Sequence, residues 1–260
     1  MRDELPASLR FERRDAIGVL TLARAAKRNA LDDETVLALG RLFTDLPSDL
    51  GAIVIDAEGD HFCAGLDLGS LAEHSTFEGI QHSRMWHRSM GLIEDSPVPV
   101  IAALKGAVVG GGLELATAAH LRVADGTAFY VLPEGQRGIF VGGGASVRVP
   151  RLIGFSRMMD MMLTGRKLTA REGQDVGLSH YLVDTGSAAR KALDLAAKVA
   201  RNSPATNFAV TQALPRIAES NPRDGYLMES LMAAIAQGTD EAKARMADFV
   251  AGRAAKADSL

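Results

Sequence analysis

Apolar and polar positions alternate over residues 9–23 in two short runs, with Asp15 and Ala16 near the turn and Ile17, Val19 and Leu22 on the second run. Period-two alternation broken by a turn predicts an N-terminal β-hairpin. Over residues 32–46 the period changes. Val36, Leu37, Leu39, Leu42 and Phe43 fall at helical spacing behind the acidic starter Asp32-Asp33-Glu34. Residues 51–56 then read as a buried strand, residues 77–93 as a helix and residues 98–103 as another strand. Strand, helix and strand in succession predict right-handed βαβ units and a stacked α/β architecture. After about residue 185 strand signals stop, and residues 187–200, 206–217, 223–237 and 240–252 are the candidate helices. The expected division is an α/β core over residues 1–195 and a helical region over 196–260, with no low-complexity linker and no internal repeat.

Composition narrows the function classes. At 260 residues and 47% hydrophobic content the chain can bury a substantial core. With 29 Lys+Arg against 32 Asp+Glu and a formal charge of −3, it lacks the global basic field that gathers nucleic acid or anionic membrane. The first nine residues carry charges and a proline where a secretory peptide needs an apolar core, and no apolar run approaches a bilayer span. A cytoplasmic protein without membrane or nucleic-acid partners is the expectation. The single cysteine, Cys63, excludes an internal disulfide and has no zinc-ligand spacing around it, so no metal is expected.

Two glycine-rich segments stand out, Gly106-Ala-Val-Val-Gly-Gly-Gly112 and Val141-Gly-Gly-Gly144, and neither has nucleotide-loop spacing. The first follows a strand and opens an apparent helix over residues 113–119, placing backbone N–H groups at a positive helix end suited to an oxyanion. Its plain alternative is tight strand–helix packing. Glu114 is the only charged side chain between Lys105 and His120. Desolvation of such a carboxyl is the tuning that a general acid or base needs. The bland reading is a first-turn acid favouring the helix dipole. Glu134, after Pro133 and the strand-like residues 128–132, carries the same two readings. Cys63 reads as a packed thiol rather than a nucleophile. His82 and His87 flank Trp86 at a spacing that faces a metal poorly, leaving surface or core roles. The methionines at 158, 159, 161 and 162 read as core filler, or as the lining of an adaptable acyl pocket.

Taken together, Phe62-Cys-Ala-Gly-Leu-Asp67, the stretch from Val100 through Gly110-Gly-Gly-Leu-Glu114 to Leu115, and Leu132-Pro-Glu134 resemble the crotonase (enoyl-CoA hydratase/isomerase) superfamily in order and spacing. The resemblance runs over essentially the whole chain. It implies an α/β fold, a crotonase-like spiral of repeated ββα units with a helical C-terminal region involved in trimerisation. It also implies an oxyanion hole from the N–H groups of Leu66 and Gly111, with Glu114 and Glu134 as the catalytic acid/base pair. The implied reaction is hydration of an enoyl-CoA thioester to a 3-hydroxyacyl-CoA, with no cofactor beyond the CoA that is part of the substrate. For CoA itself the resemblance points to Lys27, Arg28, Ala64, Gly65 and Leu66. On charge alone Lys27 and Arg28 are equally a solvated basic loop.

The chain departs from the common pattern at Val141, where a proline is usual, and over Ala145-Ser-Val-Arg-Val149. This variant is similar to a bacterial branch that includes methylthioacryloyl-CoA hydratases, and it bears on substrate choice. Near Gly252-Arg253 the usual basic CoA contact is shifted or lost and is not assigned. The resemblance further implies a homotrimer or homohexamer, for which the stretch from Met228 to Ile235 suits either an interface or intrachain core. Rival readings are an enoyl-CoA isomerase or thioester hydrolase on the same hole, an RNA-binding protein of this fold, and a catalytically silent assembly protein.

Overall fold

The structure, a computed structural model, describes residues 5–70 and 75–253. The expected hairpin is strand β1 (Leu9–Arg14) against β2 (Ile17–Leu22), antiparallel, with Asp15 at positive φ in the turn. Helix α1 (Asp33–Thr44) starts where the acidic run predicts. Asp32 caps it by accepting the Thr35 N–H at 2.9 Å. Strand β3 (Ala52–Ala57) pairs parallel to β2, and a Ser75/Glu78 capping box opens α2 (Thr76–Glu94).

From there the chain climbs between two sheets. Strand β4 (Val100–Leu104) joins the first sheet, β5 (Ala107–Val109) the second, and helix α3 (Gly111–Ala118) closes the unit. The step repeats as β6 (Leu121–Asp125), β7 (Phe129–Val131), α4 (Ala145–Ile153) and α5 (Phe155–Thr164). It ends with β8 (Leu168–Thr169), α6 (Ala170–Val176), β9 (Tyr181–Val183) and α7 (Ala188–Val199). The larger sheet has the order β1-β2-β3-β4-β6-β9 and is parallel after its first pair; the smaller is β5-β7-β8.

Alternation along β3 explains the two cores. Ile53 and Ile55 face the main cluster with Leu39, Phe43 and Met90, while Ala52 and Val54 face a second cluster with Ala192 and Ala196 of α7. A strand covered on both faces reads as the unbroken apolar run seen in the sequence. Methionines 158 and 161 are core, as read, and Met159 is exposed.

The compact units are Met1–Ala200 and Arg201–Leu260. The second holds α8 (Pro204–Phe208), a π-helical turn (Ala209–Ala213), α9 (Leu214–Glu219), α10 (Pro222–Gly238) and α11 (Asp240–Val250). The helix expected over 206–217 is therefore interrupted. Pro215, at the start of α9, has no N–H for an i−4 bond, and the widened turn lies just before it. Leu227, Leu231 and Ile235 of α10 are exposed, so within the second unit this face is not core. Among the described residues no helix is long and apolar enough to cross a membrane, and no cluster of metal-ligating side chains occurs. Residues 1–4, part of the segment weighed as a leader, lie outside the described residues.

Candidate active site

A cavity of about 380 Å³ opens in the first unit where the loop after β3, the start of α3, the face of α2 and the loop before α4 meet. Its floor is built by two adjacent backbone crossings. Cys63 bridges to Val108, donating its N–H to Ala107 O at 2.9 Å and accepting that of Val109 at 3.1 Å. Leu31 straps the next residues, with Leu31 N–H on Gly65 O and Asp67 N–H on Leu31 O, both at 2.8 Å. These bonds bring the Leu66 and Gly111 N–H groups together. A Cβ placed on Gly111 would lie 3.3 Å from Leu66 N, and one on Gly65 3.2 Å from Gly111 N. Gly111 is the first residue of α3, where an N–H has no intrahelical acceptor. Among the described residues neither N–H is bonded to a protein acceptor. Two donors, one at the positive end of a helix, thus border the cavity.

Both glutamates line the same cavity and both are buried, Glu114 at 4% and Glu134 at 8% exposure. Glu114 sits in the first turn of α3 and is held from the loop before α4: its Oε1 accepts the N–H groups of Gly143 at 2.7 Å and Ala145 at 3.0 Å. Glu134 is held differently. Pro133 fixes the approach, the Glu134 carbonyl accepts from Arg137 and Ile139, and its Oε2 is buried with no hydrogen-bond partner among the described residues. Burial pushes the Glu134 carboxyl above the ordinary carboxylate range; its own backbone N–H works against this, the negative charge of Glu114 with it, and Arg137 against it. Gly110 is required between them. Its φ of +51° disfavours an L side chain, and a Cβ there would lie 2.5 Å from Glu134 Oε1.

Ala64, Gly65 and Leu66, to which the family resemblance points for CoA, line the cavity. Lys27 and Arg28 do not. They lie on an exposed turn that touches the site through backbone, the Arg28 carbonyl accepting the Ala64 N–H at 2.9 Å. Cys63 is fully buried and burial pushes its thiol up to about 12, which fits a packed thiol. None of the four clustered methionines lines this cavity, so the acyl-pocket reading of them is dropped. Val141 and residues 142–143 do line it.

Sequence reasoning missed four contributors. His82 and Trp86 face the cavity from α2, with His82 Nε2 hydrogen-bonded to Asp33 Oδ1 at 2.7 Å. Arg137 lines it from the turn after Glu134. Arg148 is buried behind Glu114, donating to Gly143 O at 2.6 Å, Glu114 O at 3.4 Å and Glu94 Oε2 at 3.3 Å. The spacing of the two histidines argues only against a metal and leaves surface or core roles, and Arg148 stands out only as part of the variant 145–149 stretch.

A spiral of ββα units carrying paired N–H donors and paired carboxyls around one cavity is the crotonase fold. A sequence profile of the family described as enoyl-CoA hydratase/isomerase matches residues 12–257, and the chain belongs to that family. It is similar to the enoyl-CoA hydratase EchA19 of Mycobacterium tuberculosis, 30% identical over 78% of each chain. It also aligns at 35% identity with fatty acid oxidation complex subunit alpha of Shewanella frigidimarina, over 72% of this chain but only 27% of that one. Among solved structures, a candidate enoyl-CoA hydratase of Rhodopseudomonas palustris CGA009 superposes with a TM-score of 0.93 at 56% identity, over 95% of both chains. The enoyl-CoA hydratase of Bacillus anthracis superposes at 0.89 with 27% identity, over 95% of this chain and 97% of that one.

Proposed function

We propose that this protein is an enoyl-CoA hydratase, adding water across the 2,3 double bond of an enoyl-CoA thioester to give a 3-hydroxyacyl-CoA. The observation that carries the reading is the convergence of Glu114, Glu134 and the Leu66 and Gly111 N–H groups on one cavity. In this reading the two N–H groups hold the thioester oxygen as it becomes enolate-like, which is electrostatic catalysis by donors already in place. Glu114, fixed by Gly143 and Ala145, takes a proton from water as its oxygen bonds to Cβ. Glu134, whose burial favours the protonated form, delivers a proton to Cα. The proton gained by Glu114 returns to Glu134 before the next turnover, so the net addition is one water. Ala64, Gly65 and Leu66 would take the pantetheine side, with Lys27 and Arg28 at the exposed rim for the CoA phosphates.

Short and medium enoyl thioesters are the substrate range we favour, with methylthioacryloyl-CoA among them because Val141, Gly142 and Gly143, at the start of the variant 141–149 segment, border the cavity. The exposed Leu227, Leu231 and Ile235 of α10 support assembly into a homotrimer or homohexamer. The deciding assay follows loss of enoyl thioester absorbance on crotonyl-CoA and methylthioacryloyl-CoA, with product mass. A gain of one water without CoA release supports hydration; free CoA, or a shifted double bond at unchanged mass, replaces it with hydrolysis or isomerisation.

A further inference from the structure

Directly after Glu134 the chain makes a single tight helical turn, Gly135–Arg137, that is pinned to α5. The Gln136 amide donates to the Met162 and Leu163 carbonyls at 3.2 and 3.3 Å, in the last turn of α5 where carbonyls lack intrahelical donors, and a Cβ on Gly135 would overlap the Met162 carbonyl. Gln136 is thus engaged by α5, while the next residue, Arg137, lines the cavity one short turn from Glu134. It is the one Lys or Arg among the described residues that does so. The other polar side chains of this wall are occupied within the fold. His82 and the Trp86 indole share Asp33 Oδ1, at 2.7 and 3.4 Å, and Ser83 Oγ donates to the Gly142 carbonyl at 2.7 Å. Among the described residues the Arg137 guanidinium makes no hydrogen bond and no close ion pair, so its N–H donors are open to solvent or to a ligand in the cavity. Ile139 and Phe140 of the same loop, with Leu68, give the cavity its apolar side chains near this cation.

We propose that Arg137 is a specificity-determining residue that receives a carboxylate at the far end of the acyl chain, so the preferred substrate is the enoyl-CoA thioester of a short dicarboxylic acid rather than an alkyl one of the same size. A planar guanidinium meets a carboxylate through paired hydrogen bonds, and an apolar surround makes the charge pair stronger than it is in open water. An alkyl end packed against Arg137 would strip water from the cation without replacing it, and sites built for a polar group discriminate against analogues that lack it. The chain is short because Arg137 stands three residues after Glu134, the carboxyl that serves Cα in the hydratase reading. The inference rests on that reading and deepens it.

The test compares kcat/KM of the full-length protein for glutaconyl-CoA, its longer homologue 2-hexenedioyl-CoA and 5-methyl-2-hexenoyl-CoA, in which methyl groups replace the carboxylate oxygens of the first. The wild type should favour one of the carboxylates by about tenfold or more, the scale of a hydrogen bond to a charged group, and the preference should shrink as salt is raised. Arg137→Met should bring the ratio to about one, and Arg137→Lys should keep part of it. Any effect of the lost charge on Glu134 falls on every substrate, so the ratio isolates recognition of the acyl end. Folding of each variant is checked by thermal melting; if Arg137→Met does not fold, Arg137→Gln reads the same ratio. Equal use of carboxylate and alkyl chains by the wild type overturns the proposal while leaving hydration intact. So does a folded variant that raises KM equally for all three substrates, which would put Arg137 on the shared CoA portion, or one that leaves the ratio unmoved. No hydration of any substrate, crotonyl-CoA included, sinks the hydratase reading instead.

Discussion

Gly143 donates its N–H to Glu114 Oε1 at 2.7 Å, yet a methyl group on the same residue would fall 2.6 Å from Glu114 Oε2 and 3.0 Å from Trp86 Cε3. The residue that holds the carboxylate therefore tolerates no side chain. Gly143→Ala should displace the Glu114 carboxyl or the loop that fixes it, lowering kcat by about a hundredfold, the scale reported for a misplacement near 1 Å. Turnover on crotonyl-CoA, with a thermal melt to show the variant folded, checks this. Unchanged kcat would mean Glu114 need not occupy its present position.

Removing either carboxyl tests the pair directly. Glu114→Gln and Glu134→Gln should each reduce hydration at least about a hundredfold, the low end for loss of general acid/base catalysis. A folded variant with undiminished turnover takes its residue out of the mechanism.

The same Glu134→Gln variant has an opposite effect on stability. A carboxyl whose pKa is raised in the fold binds its proton more tightly there than in the unfolded chain. Its stabilising contribution is full below the ordinary carboxylate range and is lost as pH rises through the raised value. Glutamine has no such proton to lose. Urea unfolding of parent and variant at pH 4 and pH 8 should therefore show the variant gaining relative stability at pH 8. A gain confined to pH 4 would contradict the direction of the shift.

Much of this site was legible because its parts are local. Glu114 stands three residues after the helix-opening Gly111, and Glu134 directly follows a proline, so motif and spacing placed both. The long elements were legible for a related reason: the 9–23 hairpin and the 32–46 helix each bury one regularly spaced face. The smaller sheet was not, because β8 has two residues and its pairing with β7 depends on distant chain. His82 eluded the reading because its partner Asp33 is 49 residues away, and nothing in α2 announces which of its polar residues face the cavity.

Gly110 gives a stability test independent of catalysis. Its φ of +51° and the 2.5 Å approach of Glu134 Oε1 to a Cβ mean that Gly110→Ala carries both backbone strain and a clash. A loss of about 1–3 kcal/mol is expected in urea unfolding, the usual cost of forcing such a backbone state. A loss near zero would show that the Gly110 turn can relax without the conformation it now holds.

Arg148 connects stability to the site from behind. Its guanidinium is buried, reaching Gly143 O, Glu114 O and Glu94 Oε2 at once, so it clamps the loop that carries the Gly143 N–H to the helix that carries Glu114. Burial holds its pKa below the usual arginine value, with Glu94 and then Glu114 opposing that shift. Arg148→Met fills similar space but leaves the Gly143 carbonyl buried without its donor, which should cost about 2 kcal/mol of stability. Because the clamp also sets the Gly143 N–H, kcat should fall with KM little changed. Arg148→Lys, with a point charge in place of a planar fork, cannot span the three acceptors and should recover stability only in part. If Arg148→Met lost stability but kept full kcat, the clamp would serve the fold alone, and the position of Glu114 would depend on the Gly143 and Ala145 N–H groups without support from Arg148.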